Sequence, residues 1–591
     1  PDPLDKDYAY AQSQEGYVGR VHTPSGYTEM IRPVHPEAKN LRFNWNAPIA
    51  LNPFDQKTLY FGAQYVFKSM DQGKSWSLIS PDLTSNDSTK QNYGESGGLT
   101  YDVTGAENYT TLLCISPSSQ EKGLIWTSSD DGKLHLSKDG GQNWQDLSSK
   151  LKAMPEGAWI PQVVVSKHKK GAAFVVANDY RRGNEKAMLF YTDNYGKSFK
   201  NIGASLPAYV ISVAQDPKDP QLIFAGTQRG LYFSWDLGKH WQKWSKDLPT
   251  TLVSDIKIHP REDDLILGTF GRSAFILDGL EVLRARIAEE REGKEPKLAL
   301  YLEQDPYRVA YKRADGSRFP ADGTFKGENR ASGLITYVYH NFDKKDSIKA
   351  KDLHFEILNP SGESLRSFYR KLPEKGLNRF GISLRHRGLG FPSKNGKIND
   401  TTERAPLSLV SGSYILRLSY GGEVAEQKFD YHPDPRINIS VEQEKANFNF
   451  AQEFDQSLAP LHEAIDYLKR SKKAISIAES AAELYLDQKQ AKAFTDSIKS
   501  IKKELKRLEE VVYGKEVDGY YDQPQTLSSK YGAAMSYLRR SWSGVPSQAQ
   551  ILAEDYAKSQ DEFLQSLNQF KEEHWTRYNE LINQYQLKLN P

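Results

Sequence analysis

Four short segments share the spacing Ser/Thr-x-Asp/Asn-x-Gly-x-x-aromatic, and this repeat constrains the fold more than any other feature of the chain. They are residues 69–76 (SMDQGKSW), 137–144 (SKDGGQNW), 192–199 (TDNYGKSF) and 234–241 (SWDLGKHW). The third carries Asn194 for aspartate and Phe199 for tryptophan. In such a turn the Asp or Asn and the hydroxyl side chain satisfy backbone groups, Gly takes a positive φ, and the ring locks the hairpin. Asp71, Trp76, Asp139, Trp144, Asn194, Phe199, Asp236 and Trp241 are therefore read as structural, not catalytic.

Each box lies between strand-like runs, such as Tyr65-Val66-Phe67-Lys68 before the first box and Trp76-Ser77-Leu78-Ile79 at its end. Four short strands per repeat of roughly 40 to 45 residues is the pattern of a propeller blade. About six blade-like units precede residue 280, the first and last without the box. Residues 1–280 are thus expected to be β-propeller blades, complete or part of a larger propeller.

The run 281–300 opens with helical spacing and high charge and reads as a linker helix. Across 301–437 the period returns to two, with strands at 334–339, 353–357 and 414–418 and turns at Asn359-Pro360-Ser361-Gly362 and Gly421-Gly422. Beyond it, 438–591 is rich in Ala, Glu, Lys, Gln and Leu. Phe494, Ile498, Ile501, Leu505, Leu508 and Val512 recur at helical spacing, as do Phe563, Leu567, Phe570, His574, Tyr578, Leu581 and Tyr585. An antiparallel bundle of about four helices follows, folding as a separate unit. The expected class is mainly β with a C-terminal α domain: an Asp-box β-propeller, a β-sandwich and a helical bundle.

The Asp boxes are similar to those of sialidases, sortilin-type receptors and two-propeller xyloglucan-cleaving glycosidases. Over nearly its full length the chain resembles exported bacterial BNR-repeat proteins, sortilin-like and often labelled "glycosyl hydrolase". The matching stretches are residues 97–102 (GGLTYD), 105–108 (GAEN), 226–232 (GTQRGLY) and 268–273 (GTFGRS). In the last, Phe270 stands where the resemblance leads one to expect histidine, and Ser273 where one expects glycine. The region 301–437 resembles the Ig-like module of flagellar hook-cap proteins. The resemblance implies the C-terminal portion of a longer protein, and the opening Pro1-Asp2-Pro3 agrees with a processed or excised piece.

Composition narrows the function classes. Lys+Arg 78 nearly balance Asp+Glu 76, so no global field favours nucleic acid. The single cysteine, Cys114, excludes an internal disulfide framework and a multi-cysteine metal site. The 12 histidines show no H-E-x-x-H spacing, and no phosphate-binding or dinucleotide fingerprint appears, so no metal and no cofactor are expected. No apolar run approaches the ~18 residues of a transmembrane helix. An extracytoplasmic placement, periplasmic, outer-membrane-associated or secreted, is expected from the resemblance.

Asp boxes join strands three and four of a blade, so the two–three hairpins and the blade-to-blade crossings share the opposite face. That face collects Tyr180, Arg181, Arg182, Gln228, Arg229 and Arg272 as candidate ligand-binding residues. Converging guanidinium groups bind carboxylate, sulfate or phosphate in a bidentate manner. Asp102 and Glu107, on the 82–110 crossing, are the candidate carboxylate pair for glycoside hydrolysis. The expected function is non-catalytic: a propeller face binding peptide, protein or glycan, with sandwich and bundle docking partners in an envelope or surface assembly. The alternative is a polysaccharide-active, sialidase- or xyloglucanase-like glycoside hydrolase whose site includes missing N-terminal residues of the same precursor.

Overall fold

The computed structural model describes residues 1–91, 108–311, 329, 331–343, 352–398, 404–515 and 525–587. They form two compact units, Pro1–Ala288 and Glu289–Pro591.

The first unit is a succession of six antiparallel sheets in chain order. Blade 1 holds Tyr8–Gln12, Val18–His22 and Tyr27–Met30; blade 2 holds Ile49–Asn52, Asp55–Gly62, Val66–Ser69 and Ser77–Leu78. Blade 3 holds Leu112–Pro117, Ile125–Ser129, Leu134–Ser137 and Gln145–Asp146. Blade 4 holds Trp159–Val165, Ala173–Asp179, Asn184–Thr192 and Lys200–Asn201. Blade 5 holds Val210–Gln215, Ile223–Thr227, Gly230–Ser234 and Gln242–Lys243, and blade 6 holds Val253–Ile258, Leu265–Thr269 and Ala274–Leu277. The first and last are three-stranded, and these are the two that carry no box.

Five apolar cores lie between successive blades. Phe61 and Phe67 meet Val18 and Ile31 between blades 1 and 2; Val66 meets Leu112 and Ile125 between blades 2 and 3. Trp126 and Met188 lie between blades 3 and 4, Phe174 and Val213 between 4 and 5, and Phe224 and Leu267 between 5 and 6. Middle strands are therefore covered on both faces, and Ile125–Ser129, Ala173–Asp179 and Ile223–Thr227 are buried throughout. This is why they read as continuous apolar and small-residue runs and not as alternation. The Cys114 sulfur lies against the Val163 backbone across blades 3 and 4, where burial pushes its thiol pKa up.

Helix α1 (Leu280–Arg291) does not behave as a free linker. Leu280 and Ile287 enter the core of blades 5 and 6, and Arg284 bonds fully buried Asp216 at 2.7 Å and Asp263 at 3.2 Å. Removing one partner of such a buried pair costs about 3–5 kcal/mol.

In the second unit a three-stranded sheet (Leu298–Leu302, Leu334–His340, Gly376–Ile382) faces a five-stranded one. The latter orders Tyr307–Arg308, Glu423–Pro433, Gly412–Tyr420, Asp352–Leu358 and Ser364–Lys371. Leu300, Leu334, Val338, Phe355, Ile357, Leu416 and Leu418 fill the space between them. The helices are α2 (Val441–Gln456), α3 (Ala459–Tyr485), α4 (Gln488–Tyr513), α5 (Leu527–Arg539), α6 (Ser547–Gln569) and α7 (Thr576–Gln584). A π-helical segment, Phe570–Trp575, joins α6 to α7, so there are five rods among the described residues where about four were expected. Its extra residue per turn keeps Phe570, His574 and Tyr578, spaced by fours, along one face. Phe494, Ile498, Ile501, Leu505, Leu508 and Val512 are all buried in the helical core.

The sandwich and the helices have a core each, and contacts cross the change of element type at Ser440. Leu407, from the strand Arg404–Ser408, belongs to the helical core, and Phe391 packs against it. Buried Asp455 of α2 accepts the amides of Leu389 (2.7 Å) and Gly390 (2.9 Å) and the hydroxyl of Tyr531 (2.9 Å). Glu444 accepts the Ser411 amide at 2.8 Å and pairs with Arg308 at 3.2 Å.

Candidate functional site: the hairpin face of the propeller

The box face is fixed first, because it defines the opposite one. In the first box the Asp71 carboxylate accepts Ser69 Oγ (2.7 Å), the Ser75 amide (2.9 Å) and Ser75 Oγ (2.7 Å), while the Gly73 amide donates to Ser69 Oγ (2.8 Å). The Ser75 hydroxyl, then its amide, hold the Asp71 carboxyl near pKa about 2. Asp139 and Asp236 make the same bonds, Asp236 with His240 Nδ1 at 2.5 Å. Asn194 reproduces them through its amide, receiving the Ser198 N–H at 3.1 Å and donating to Ser198 Oγ at 2.8 Å. The side-chain oxygens of Asp71, Asp139, Asn194 and Asp236 are thus used within their own turns.

On the opposite face the hairpins between second and third strands bring Tyr180, Arg181 and Arg182 (blade 4), Gln228 and Arg229 (blade 5) and Arg272 (blade 6). Tyr180 stacks on Tyr209 with centroids 4.7 Å apart and planes 13° from parallel. The Arg181 guanidinium lies 3.3 Å from the Trp159 ring centre and 4.5 Å from that of Tyr180. Trp159, Arg181, Tyr180 and Tyr209 therefore form one stacked row across blades 4 and 5. Tyr209 is buried at 5% exposure while Tyr180 keeps 36%, so the row is anchored at one end and open along Tyr180.

Two acceptors border this row. Gln228 donates its amide to the Tyr209 carbonyl at 3.2 Å, and its side-chain Oε1 is buried without a hydrogen-bond partner. Asn178 Nδ2 reaches the Val210 carbonyl at 3.4 Å, and its Oδ1 is likewise buried and unpartnered. An unsatisfied buried acceptor costs about 1–3 kcal/mol unless a ligand or water donor meets it.

The four arginines have different situations. Arg182 bonds Asp179 at 2.6 Å and the Glu156 carbonyl at 2.8 Å. Arg229 approaches Glu185 at 3.9 Å, and Arg181 is spread over two rings. Arg272 is exposed on the next hairpin, and no contact among the described residues joins it to the other three.

The carboxylates of this face are also engaged. Asp130, fully buried, accepts the Thr111 amide (2.9 Å), Thr111 Oγ1 (2.6 Å) and Asn44 Nδ2 (3.2 Å), and burial raises its pKa to about 7. Asp131 accepts the Ser85 amide at 2.6 Å and the Ser129 hydroxyl, and Asp82 pairs with Arg42 at 2.8 Å. Asp102 and Glu107, the candidate catalytic pair, lie outside the described residues. Trp159, Tyr209 and Asn178 were not singled out in the sequence; the one available signal is an aromatic residue where a crossing enters an innermost strand.

Residues 132–270 match the Sortilin-Vps10 family model, described as sortilin, neurotensin receptor 3. With the box geometry, this makes the first unit an Asp-box (BNR-repeat) β-propeller. No curated protein matches the chain. Among solved structures, a GH74 xyloglucanase from Xanthomonas campestris is similar at 18% identity over 47% of this chain and 44% of that one, with TM-score 0.35. A GH74 enzyme from Niastella koreensis is similar at 14% identity over 46% and 44%, TM-score 0.33, and YCF48 from Cyanidioschyzon merolae at 14% over 40% and 74%, TM-score 0.26. The chain spans less than half the length of either GH74 enzyme. No helix among the described residues is long and apolar enough to cross a membrane.

Proposed function

We propose that the chain is a non-catalytic, extracytoplasmic binding protein whose propeller takes a peptide or glycan segment on the hairpin face between blades 4 and 5. The observation that carries this reading is the row Trp159–Arg181–Tyr180–Tyr209, open along Tyr180 and bordered by the unpartnered acceptors Gln228 Oε1 and Asn178 Oδ1. With Arg181 and Tyr209 against its two sides, Tyr180 leaves its edge open, and an aromatic edge with fixed acceptors beside it suits a ligand that presents both apolar surface and N–H or O–H donors. Asp130, Asp131, Asp179 and Asp82 are each engaged within the protein, so these four do not offer a free carboxyl pair for hydrolysis. Partners docking on the sandwich and helices belong to the same proposal.

The test is a titration of neutral oligosaccharides and of peptides, read by tyrosine and tryptophan fluorescence. Binding that quenches the wild type and is lost in Tyr180→Ala supports the reading. Turnover of any oligosaccharide by the protein, abolished by substitution of Asp102 or Glu107, overturns it in favour of a hydrolase.

A further inference from the structure

Helices α5 and α6 are joined by a turn that is held from within. The Ser541 hydroxyl, on a residue 8% exposed, donates to the Gly544 carbonyl, and Gly544 takes a φ of 89°. A glycine adopts that left-handed backbone without the strain a side chain would bring, so the reversal of the chain is built into the sequence. The Arg540 and Ser541 amides donate to the last carbonyls of α5, those of Tyr537 (3.3 Å) and Leu538 (3.4 Å). Ser541 is thus consumed in holding the turn. Its neighbours are not.

Those neighbours line a depression of about 650 Å³, inside the range of about 300–1,000 Å³ common for small-molecule sites. Ser536 and Tyr537 come from the last turn of α5, and Arg540, Trp542 and Ser543 from the residues that follow it. Tyr537 is 47% exposed, and no aromatic ring packs against it or against Trp542 among the described residues. Trp542 has the Arg308 guanidinium 5.9 Å from its ring centre. The side chains of Ser536, Tyr537, Arg540, Trp542 and Ser543 make no hydrogen bond or ion pair among the described residues. Arginines elsewhere on these helices are paired, Arg507 with Glu504 at 2.6 Å and Arg577 with Glu580 at 3.0 Å.

The chemistry of the depression is one-sided. The Arg540 guanidinium and the Trp542 indole N–H can only donate, whereas the hydroxyls of Ser536, Tyr537 and Ser543 donate or accept. No carboxylate lines it, and Arg540 is its one charged residue. An occupant must therefore bring acceptors, a negative charge and apolar surface for two aromatic side chains. Every lining residue falls within 536–546, so neither a strand edge nor an apolar groove is present. The modes in which a peptide adds a strand or lays a helix in a groove have nothing to engage here.

We infer that this depression is a binding site for an acidic glycan. A uronate residue places its carboxylate on the Arg540 guanidinium, which matches it in a bidentate manner. Its ring and hydroxyl oxygens meet the Trp542 indole N–H and the serine hydroxyls, and its C–H surface lies against Tyr537 and Trp542. The site is carried by the second unit and does not depend on the row at Tyr180.

The experiment uses the whole chain and follows the indole N–H resonances of its 10 tryptophans, that of Trp542 being identified by its loss in Trp542→Phe. The probes are trigalacturonate and trimannuronate, their fully methyl-esterified forms, and hexaglutamate. The expected result is a saturating shift of the Trp542 resonance with at least one of the two acidic sugars, weakened by added salt. Esterification of that sugar, or Arg540→Gln, should lower the affinity about tenfold or more, the value of a lost charge-assisted contact. Unmoved resonances of the other indoles show that the exposed Arg540→Gln variant is folded, and Tyr180→Ala should bind the sugar as the wild type does. No shift with either acidic sugar at about 10 mM overturns the inference, since binding weaker than that has no recognition value. Equal affinity for acid and ester overturns it as well. Tighter binding of hexaglutamate than of both sugars assigns the depression to an acidic peptide and overturns the glycan.

Discussion

The indole N–H of Trp76 donates to the backbone carbonyl of Ile31, 2.7 Å away and one blade earlier in the chain. The box is thus both a hairpin lock and the fastener between consecutive blades. The Cβ that Gly73 lacks would fall 2.6 Å from the Ile31 side chain, so the glycine serves close approach as well as its φ of 95°.

Trp144 makes this fastening measurable. Its ring packs in the core between blades 2 and 3 and its Nε1 bonds Ile79 at 2.9 Å. Trp144→Ala should cost ~3 kcal/mol or more in the denaturant unfolding of the propeller. Trp144→Phe, which imitates the natural Phe199, should cost about 1 kcal/mol, the value of the lost hydrogen bond plus some packing. Equal midpoints for wild type and the alanine variant would remove the ring from the blade contact.

The boxes also give an acid limb with a defined sign. Asp71 and Asp139 are held near pKa about 2, the first mainly by the Ser75 hydroxyl and amide, the second by the Asn143 amide and side chain. Both lie below the ~3.9 of an unfolded aspartate, so their contribution is present above about pH 4 and lost as pH falls toward 2. The double variant Asp71→Asn, Asp139→Asn should be less stable than wild type at neutral pH and lose less of its stability between about pH 5 and 2.5. Denaturant midpoints across that range check it; parallel curves for the two proteins contradict it.

The boxes were legible in the sequence because the hydrogen bonds of their turns close within four residues, as from Gly73 to Ser69 and from Ser75 to Asp71. The row on the hairpin face was only half legible. Tyr180 and Arg181 stood out on a hairpin tip, but Trp159 and Tyr209 lie on two different crossings, and only the stacking of blades brings them to Arg181 and Tyr180. Helix count was misjudged where α2 passes to α3 at Ser457 and Leu458, with no glycine before Pro460 to mark the break.

In the second unit we expect the sandwich and helices to unfold together. Asp455 holds the amides of Leu389 and Gly390 and the Tyr531 hydroxyl, all three buried or partly buried. Asp455→Ala leaves those donors without an acceptor and should destabilise the unit by about 3 kcal/mol or more. Near-ultraviolet and far-ultraviolet circular dichroism should then shift to one common, lower midpoint. Limited proteolysis at residues 435–445 that releases a stable helical fragment would show instead that the helices hold without the sandwich.

The arginines of the hairpin face make the last prediction, because they separate recognition by charge from recognition by stacking. Arg182 already has Asp179 and Glu156, Arg229 has Glu185, and Arg181 lies over the Trp159 ring at 3.3 Å, so their charge is partly spent within the protein. Arg272 is exposed on the hairpin of blade 6. If the Tyr180 face binds the ligand, Arg272→Glu should change affinity by no more than about twofold, whereas Tyr180→Ala should weaken it about tenfold or more. Raising salt should have little effect on the same titration, since stacking and buried acceptors are not screened as exposed ion pairs are. A steep salt dependence together with loss of binding in Arg272→Glu would move recognition to the guanidinium groups and make the ligand an anion.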